Sequence, residues 1–472
     1  MTRTRIILAA LFASLLAPVP SHAADKPNIL YIVADDLGWK DVGFHGAADI
    51  KTPNLDKLAA EGVRMEQFYV QPMCTPTRAA LMSGRYPMRY GLQTLVIPSK
   101  GTYGLATDER TLPEVLKDAG YRTAMVGKWH LGHADQKYWP RQRGFDYHYG
   151  AVIGEIDYFT RESHGVLDWQ RDNKPVREDG YVTQLLGKDA VKVISEQDVK
   201  TPLFLYLAFT AAHSPYQAPK EYLERYKDIA DETRRNYAGQ ITCMDDEIGK
   251  VLAALDKKKM RENTLIIFHS DNGGTRDAAF AGEGKVKKLP CDNGTLNGGK
   301  GSLYEGGTRV PAFANWAGRI KPGGEVKGMM HVVDMLPTLA KLAGGSTEKC
   351  KPLDGRDVWP AIAEGQPTGR DELVYNIEPF NAAVRQGDWK LMWKAVLPSK
   401  VELFNIADDP NEKTNLADKQ PEKVKELQAR IEKLAAEAAK PLFMEASVKA
   451  IMGELFGPAP IPTEDNAGTA EP

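Results

Sequence analysis

The run Cys74-Thr75-Pro76-Thr77-Arg78 combines a thiol, a proline-marked turn and a cation within five residues. An apolar, strand-like segment precedes it, and a helix-prone segment follows it and ends at Gly84. This order predicts a helix that begins at Cys74, where free N–H groups and the helix dipole favour an anion. Arg78 would lie one turn further along the same face, close enough to share that anion. A buried structural cysteine at a helix start is the alternative interpretation, so the meaning of the run depends on the rest of the chain.

Acidic and amide side chains follow two apolar segments that are typical of buried strands. Asp35 and Asp36 directly follow one of these segments, and Asp271 and Asn272 directly follow another. Because open α/β sheets bind ligands at the carboxyl ends of their strands, the two groups can meet at one sheet edge. Oxygen ligands of this kind suit a hard cation. Polar turns that use Asp are the alternative for either group alone, but they explain two such endings poorly.

Cations and histidines occupy other loops beside predicted strands. Lys128 and His130 are two residues apart in a glycine-bounded loop, and His213 lies just past a strand. The glycine-rich stretch around Lys300 nearly matches a phosphate-binding P-loop, but Gly301 stands where the metal-binding hydroxyl is needed. We therefore reject nucleotide binding and interpret Lys300 as a cation that meets an anionic substrate. Taken singly, each of these residues is more often a plain surface or structural residue.

Buried apolar runs alternate with amphipathic helices over most of the chain, which predicts an α/β fold. The large sheet, mostly parallel or mixed, would be sandwiched by helices. Its clearest strands are four apolar runs, at residues 27–34, 121–126, 202–209 and 264–270.

A change of pattern marks the C-terminal part. From about Asp371, short strands at turn-punctuated spacing and a helical pattern at 423–440 predict a smaller antiparallel sheet with a packing helix. We expect four segments in all: a leader over 1–23, a main domain over 24–370, an α+β subdomain over 371–445 and a tail over 446–472. Within the main domain, residues 133–200 are weakly periodic and are expected to form an insertion over the site.

The composition is that of a globular protein with a sizeable core, at 472 residues with 42% hydrophobic and 26% charged residues. The formal net charge of -2 provides no basic field for nucleic acid, so local cations would have to meet an anionic substrate. Four cysteines are too few for a disulfide scaffold. A bridge between Cys291 and Cys350 stays open.

The first 23 residues have the pattern of a signal peptide. Arg3 and Arg5 form a charged segment, an apolar run follows to Ala17, and small residues allow cleavage near Ala23. The apolar run is too short for a comfortable membrane span, and nothing later in the sequence resembles one. We therefore expect a periplasmic or secreted protein.

Together these motifs resemble those of the type I sulfatases of the alkaline phosphatase superfamily, which depend on formylglycine. Within that family the chain is most like N-acetylgalactosamine-4-sulfatase (arylsulfatase B), although the cysteine framework of that enzyme is missing and the 133–200 region matches only in part. The matching stretches are residues 34–39, 71–78, 125–132, 271–274, 303–307 and 352–359.

The resemblance implies an alkaline-phosphatase-like fold in which 24–370 is the catalytic domain. It also implies one Ca²⁺ ion and a formylglycine oxidised from Cys74. The gem-diol of this formylglycine would attack the sulfate ester and form a covalent sulfo-enzyme that then eliminates sulfate. The metal ligands would be Asp35, Asp36, Asp271, Asn272 and the formylglycine at position 74.

The resemblance further implies acid–base and binding roles. Asp271 would deprotonate the nucleophile, His130 would assist elimination, and His213 would bind substrate and protonate the leaving alcohol, a role that Lys300 can share. The sulfate oxygens would be held by three cations, Lys128, Lys300 and Arg78.

The favoured function is that of a sulfuric ester hydrolase of the arylsulfatase type. Its substrate would be an aryl sulfate or a sulfated carbohydrate, either N-acetylgalactosamine-4-sulfate-like or an algal polysaccharide fragment. Its implied partner is a formylglycine-generating maturation enzyme that acts on the unfolded chain, and neither nucleic acid nor a membrane span is expected. Two alternatives stay open: a phosphate or phosphonate ester hydrolase on the same scaffold, and a catalytically silent protein that binds sulfated glycans.

Overall fold

The computed structural model describes residues 26–280, 288–395 and 398–456, and the predicted signal peptide lies outside these ranges. The strands are β1 (Asn28–Ala34), β2 (Val63–Met65), β3 (Phe68–Tyr69), β4 (Arg122–Gly127), β5 (Tyr147–Gly150), β6 (Glu162–Ser163), β7 (Val166–Leu167), β8 (Gln170–Arg171), β9 (Lys174–Pro175), β10 (Leu203–Ala208), β11 (Thr264–Ser270), β12 (Ala312–Asn315), β13 (Gly324–Val326), β14 (Met330–His331), β15 (Glu372–Ile377), β16 (Asn381–Gln386), β17 (Trp389–Lys394) and β18 (Lys400–Asn405). The α-helices are α1 (Pro53–Ala60), α2 (Cys74–Ser83), α3 (Leu112–Asp118), α4 (Val182–Ser195), α5 (Lys220–Arg225), α6 (Glu232–Lys257), α7 (Glu305–Thr308), α8 (Met335–Leu342), α9 (Trp359–Glu364), α10 (Pro421–Ala436) and α11 (Leu442–Phe456).

A large mixed sheet runs through the main domain in the strand order β13-β2-β12-β11-β1-β10-β4-β5-β8-β9. Its centre is parallel, because β1 pairs with both β10 and β11, and β10 pairs with β4. Strand β12 is antiparallel to β11, which makes the sheet mixed. The predicted fold class is confirmed, and each of the four apolar runs forms a central parallel strand.

Both faces of this sheet are covered by helices. Alternate residues of β1 enter two separate cores, with Ile29 and Tyr31 on one face and Leu30 and Ile32 on the other. Helices α2, α3 and α8 supply side chains to the first core, and α1, α4 and α6 supply the second. A strand buried on both faces explains why β1 is continuously apolar in sequence.

The region 133–200 is more regular than the expected insertion. Strands β5, β8 and β9 extend the edge of the main sheet, and α4 packs against α6. The expectation of an insertion is therefore wrong for β5 and α4, whose apolar residues, among them Tyr149 and Leu186, belong to the second core. The loops between β5 and β8 do lie over the site, where Ile153 and Ser163 line its pocket.

The C-terminal part contains the predicted antiparallel sheet and helix. Strands β15 to β18 pair in sequence order, and Leu427 and Ile431 of α10 pack with the core on one side of them. The opposite side carries Tyr375 and Phe404, which pack against Tyr69 of the main domain. The small sheet is thus sandwiched between α10 and the main domain.

A buried ionic cluster joins this small sheet to the main domain. Lys390 Nζ in β17 lies 3.0 Å from Glu305 Oε1 in α7 and 2.8 Å from Glu412 Oε1. The backbone N–H of Glu305 donates to Glu412 Oε2 at 2.7 Å. Tyr69 OH also donates to Glu305 Oε2, at 2.7 Å. Because these charges are buried, each depends on its partners across the interface.

Helix α11 begins at Leu442 and ends at Phe456, so it covers part of the segment expected to be a tail. The Ala, Leu, Met, Glu and Lys residues of this stretch favour a helix, which accounts for the difference. All four cysteines are free, so the bridge between Cys291 and Cys350 does not form. Among the described residues, no helix combines the length and the apolar character that crossing a bilayer requires.

Candidate active site

The candidate site lies at the carboxyl edge of the central parallel strands. Asp35 and Asp36 follow β1, and Asp271 and Asn272 follow β11, whose last residues lie opposite those of β1. The strand register therefore brings these four residues to one edge of the sheet, as the sequence predicts. The N–H of Asp36 lies 3.3 Å from Asp271 Oδ1, and Asn272 Nδ2 donates to Asp36 Oδ1 at 2.7 Å.

Helix α2 points its first residue at this edge. It begins at Cys74, ends at Ser83 and is followed by Gly84 in the left-handed conformation (φ 67°). The Cys74 thiol is 1% exposed, and its Sγ lies 3.4 Å from both Asp35 Oδ1 and Asn272 Oδ1. The sequence predicted both the helix start and the meeting of these loops. Burial, followed by the charge of Asp271, raises the pKa of Cys74 well above its ordinary value.

Arg78 lies one turn along α2 and is fully buried. Its Nε and Nη2 donate to Asp271 Oδ2 at 3.0 and 2.8 Å, and its Nη1 donates to the backbone oxygen of Lys128 at 2.8 Å. Burial, followed by the charge of Asp35, raises the pKa of Asp271, although Arg78 opposes the shift. Lys128 is also buried and pairs with Asp35 Oδ2. Burial lowers the pKa of Lys128, but the charges of Asp35, Cys74 and Asp271 together outweigh burial and raise it.

Lys300 and His213 meet above Asp36. Lys300 Nζ donates to Asp36 Oδ2 at 2.9 Å and to His213 Nε2 at 3.0 Å, and His213 Nδ1 donates to the Ser214 backbone oxygen at 2.6 Å. Burial and the charge of Lys300 lower the pKa of His213 to about 4. His213 is therefore neutral near pH 7, with its proton on Nδ1 and the charge of the pair on Lys300.

Asp36 stays ionised through these contacts. Burial raises its pKa, but the charge of Lys300 and the hydrogen bonds from Lys300 and Asn272 oppose burial, and the net effect is a lowered pKa. Asp36 has φ 57° and His130 has φ 60°, a region that residues other than glycine rarely occupy. Strain of this kind concentrates at functional sites.

His130 lines the same pocket as Cys74. Its Nε2 donates to the Ile97 backbone oxygen at 3.1 Å, while its buried Nδ1 has no hydrogen-bond partner in the part of the chain that the structure describes. Burial and the charge of Lys128 lower its pKa well below the ordinary value. A neutral ring with an unpartnered Nδ1 can accept a proton or a hydrogen bond. Its ring packs so closely on Gly154 that a Cβ there would lie 2.1 Å from His130 Cε1.

These residues form the floor of a cavity of about 480 Å³. Cys74, His130, His213 and Lys300 are its polar floor. Its walls are largely apolar and come from four segments of the chain, with Leu95, Val96, Ile97, Pro98, Ile153, Phe280 and Phe443 among them. An apolar wall over a charged floor suits a ligand that carries an anion on a less polar body.

The donor atoms at the floor suit a hard cation. Potential ligand atoms of Asp35, Asp36, Cys74 and His213 lie within 4.8 Å of one another. Asn272 Oδ1 is also near Cys74, whereas His213 Nε2 already accepts from Lys300. The available donors are therefore mainly carboxylate and amide oxygens, which Ca²⁺ and Mg²⁺ prefer.

Sequence reasoning missed several residues that hold this geometry. Thr75 Oγ1 donates to the His130 backbone oxygen at 3.0 Å and accepts from the Ile97 N–H at 3.2 Å, so it ties two pocket loops to α2. Thr275 Oγ1 donates to Asp36 Oδ2 at 3.1 Å. Thr75 directly follows Cys74 and Thr275 lies three positions after Asn272, and this closeness in sequence is the one signal that could have drawn attention to them.

A further group supports the loop after β1 from outside the site. Arg234 Nη1 lies 2.6 Å from Asp41 Oδ1, and Tyr237 OH donates to Asp41 Oδ2 at 2.8 Å. Tyr237 OH also accepts from the Gly38 N–H at 3.1 Å. These residues lie on α6, almost 200 positions from the loop they hold, and no local sequence pattern links them.

Comparison with known proteins shows which family this chain resembles. The family model described as sulfatase matches residues 27–346, and a second model, N-sulphoglucosamine sulphohydrolase, C-terminal, matches residues 299–439. Arylsulfatase J of Mus musculus is 38% identical over 389 residues, covering 80% of this chain and 63% of the relative. N-acetylgalactosamine-6-sulfatase of Homo sapiens is 34% identical over 383 residues, covering 77% of this chain and 71% of the relative. The chain thus spans less than two thirds of the length of arylsulfatase J.

Solved structures extend the likeness to the fold. The structure of Ps i-CgsB in complex with k-i-k-neocarrahexaose has a TM-score of 0.81 and 34% identity, covering 91% of this chain and 97% of that one. The PsFucS1 sulfatase from Pseudoalteromonas sp. has a TM-score of 0.69 and 27% identity, covering 92% of each chain. The sulfatase family model matches residues 27–346, which is most of this chain. The chain therefore belongs to the sulfatase family, whose members are sulfuric ester hydrolases.

Proposed function

We propose that this chain hydrolyses a sulfate ester of a sulfated carbohydrate at the floor of the pocket. The observation that carries the proposal is the position of Cys74, at a buried helix start between Asp35 and Asn272 and beneath the Lys300–His213 pair. The free helix N–H groups favour a bound sulfate, and the nearby cations can donate hydrogen bonds to its oxygens.

A formylglycine at position 74 is part of the proposal. The raised pKa of the buried Cys74 thiol makes it a poor nucleophile, so an unmodified cysteine would contribute little reactivity. As formylglycine, residue 74 would supply a hydrated aldehyde whose hydroxyl can attack sulfur. Asp271 would accept the proton of that hydroxyl, and its raised pKa favours this role. His130, through its unpartnered Nδ1, would accept the proton that is released when sulfate departs.

The proton for the leaving alcohol would come from the Lys300–His213 pair. His213 alone is a weak candidate, because its Nε2 accepts a hydrogen bond and its pKa is lowered to about 4. Lys300 carries the charge and faces the pocket, so it would donate the proton while His213 positions it. This assignment refines the role that the resemblance gives to His213.

The net charge of the buried side chains at the site favours a metal cofactor. Three buried carboxylates, Asp35, Asp36 and Asp271, lie among three buried cations, Arg78, Lys128 and Lys300. These charges cancel, so side chains alone offer little net attraction for a sulfate ester. A Ca²⁺ ion held by Asp35, Asp36, Asp271, Asn272 and residue 74 would supply the missing positive charge and polarise the sulfate oxygens. Lys128 and Arg78 would hold the remaining sulfate oxygens.

The substrate class is proposed from the structural neighbour. Ps i-CgsB, which is similar over 91% of this chain, is in complex with k-i-k-neocarrahexaose. This likeness favours an algal polysaccharide fragment over an N-acetylgalactosamine 4-sulfate, since the relatives named above include a 6-sulfatase rather than a 4-sulfatase. We also propose export to the periplasm or medium, cleavage near Ala23, and a maturation enzyme that oxidises Cys74.

The test is turnover by protein co-expressed with a formylglycine-generating enzyme. The matured protein should release sulfate from an aryl sulfate and from sulfated galactan oligosaccharides, and cleave the matching phosphate esters much more slowly. Hydrolysis of phosphate esters alone would contradict the proposal. So would binding of sulfated glycans by fully converted protein without any release of sulfate.

A further inference from the structure

A second cavity, of about 370 Å³, adjoins the active-site pocket at Lys300. Lys300 and Phe280 line both cavities, so the two cavities lie side by side at these side chains. One wall of the second cavity is the loop 298–304, and the other includes Asn381 of β16 and Lys394 of β17. The C-terminal sheet therefore contributes directly to the surroundings of the candidate site.

The side chains that line this second cavity carry an excess of positive charge. Arg276, Lys300 and Lys394 line it, and Asp277 is the carboxylate found there among the described residues. Because Lys300 is paired with Asp36, the excess comes from Arg276 and Lys394. The chain as a whole has a formal net charge of -2, so the excess is local. A local cluster of cations in a chain of this charge indicates a site for an anion.

Arg276 has the properties of a residue held available for a ligand. It is exposed, it lines the cavity, and it forms no ion pair with any described residue. A guanidinium can bind two oxygens of a sulfate at once, which a lysine cannot.

Lys394 shares its only paired carboxylate among the described residues with a second lysine. Its Nζ lies 3.4 Å from Glu402 Oε2, but Lys400 Nζ lies 2.7 Å from Glu402 Oε1, so two lysines share one carboxylate. Tyr304 fixes the Lys394 amine, since Nζ donates to Tyr304 OH at 3.0 Å. Lys394 also extends from a strand of the sheet rather than a loop, so its position is well defined.

We propose that this cavity binds a second sulfate group of the substrate, carried by a sugar next to the one whose sulfate is removed. The inference rests on the proposed function and narrows it, because the substrate becomes an oligosaccharide with at least two sulfates. Arg276 and Lys394 hold the second sulfate while the reacting sulfate lies on the other side of Lys300. The two residues determine specificity and take no part in the chemical step.

Binding tests this inference without turnover. The Cys74→Ala protein is titrated calorimetrically with galactan oligosaccharides of equal length that carry one or two sulfates per disaccharide repeat. We expect the doubly sulfated ligand to bind about tenfold more tightly, as for one charge-assisted contact, and the preference to shrink as ionic strength rises. Adding Arg276→Gln or Lys394→Gln should remove most of the preference. Equal affinities for the two ligands, or a preference that survives both substitutions, would overturn the subsite.

A control excludes a general effect of charge. Arg319 is an exposed arginine at the opposite edge of the main sheet, beyond the last residue of β12. Arg319→Gln should leave the preference for the doubly sulfated ligand intact, and an equal loss in this variant would also overturn the subsite. Turnover separates the two proposals. If matured wild-type protein cleaves both oligosaccharides with equal kcat/KM, the subsite alone is contradicted. If it cleaves no sulfate ester, the proposed function is contradicted. In that second case the binding measurement still decides whether the subsite exists.

Discussion

The guanidinium of Arg78 holds the carboxylate of Asp271 through two hydrogen bonds that end on the same oxygen, Oδ2. The other oxygen, Oδ1, is left facing the N–H of Asp36 at 3.3 Å. Arg78 therefore orients Asp271 and decides which of its oxygens faces the rest of the site. Both side chains are fully buried, so removing one of them leaves the charge of the other without a partner and without solvent.

Replacing Arg78 should damage both the stability and the activity of the protein. Arg78→Gln leaves the buried charges of Asp271 and Asp35 without their partner, which should cost about 3 kcal/mol of unfolding free energy. Activity of the folded protein should fall by at least about a hundredfold, because an electrostatic contact to the sulfate is lost. Denaturant unfolding and assay of sulfate release check the two effects.

Arg370, paired with Asp334 in a separate buried contact, is the matched control. Arg370→Gln should destabilise the protein but spare turnover, and equal loss of turnover would contradict the role of Arg78.

Cys74→Ala should abolish turnover and leave the fold intact. The substitution removes a single sulfur atom, so the unfolding free energy should change by only about 1 kcal/mol. Mass spectrometry of the wild-type peptide should show a loss of about 18 Da, as expected when the thiol becomes an aldehyde. Cys350→Ala, at a half-buried thiol far along the chain, should keep full activity. Normal turnover by Cys74→Ala would exclude a covalent role for residue 74.

Removal of divalent cations should lower the thermal midpoint as well as the activity. A ligand that binds only the folded state stabilises it by about 2.7 kcal/mol when present at a hundred times its dissociation constant. Calcium should therefore restore both properties after chelation with EDTA. The Asp35→Asn protein should lose most of the calcium-dependent shift of its midpoint. A shift that is unchanged in this variant would place the cation elsewhere.

The stability of the protein should depend on pH through Glu412. Burial, followed by the charge of Glu305, raises the pKa of Glu412 from 4.5 to about 7. The folded state therefore keeps a proton that the unfolded state has already released between these two values. Unfolding free energy should fall as pH rises from about 4.5 to about 7, by up to about 3 kcal/mol. Denaturant unfolding measured from pH 5 to pH 8 checks this slope.

Glu412→Gln supplies the comparison for this slope, because the amide resembles the protonated acid in shape. The variant should lose the fall in stability between pH 5 and pH 7, and should equal or exceed the wild type at pH 7.5. Glu364→Gln, at an exposed position on α9, should keep the wild-type slope. A slope that persists in Glu412→Gln would assign the pH dependence to another group.

Much of the fold follows from local patterns in the sequence. The four apolar runs are fully buried parallel strands, and the residues that follow them meet because such strands end at one edge. The start of α2 at Cys74 also follows from the proline-marked turn, and its end at Ser83 follows from Gly84. Helix α4 was predictable too, because its apolar residues repeat at helical spacing, but irregular neighbours conceal this pattern when 133–200 is taken as a whole.

The remaining features depend on contacts that no local pattern encodes. Lys300 and His213 are 87 positions apart on separate loops, and their hydrogen bond depends on how both loops cross the site. The second cavity depends on how the C-terminal sheet docks, through the buried contacts of Lys390 with Glu305 and Glu412. Sequence periodicity assigns these residues to elements but does not determine how two elements approach each other.

The burial of the Cys74 side chain has a consequence for the order of events during synthesis. At 1% exposure this thiol is out of reach of any other enzyme once α2 has packed against the sheet. Under the proposed chemistry, oxidation has to happen before the chain closes around it, and a molecule that folds first stays inactive for good. The specific activity of a preparation would thus depend on the rate of modification relative to the rate of folding. Slower folding, or more of the modifying enzyme, would raise it, whereas later treatment of the folded protein would not.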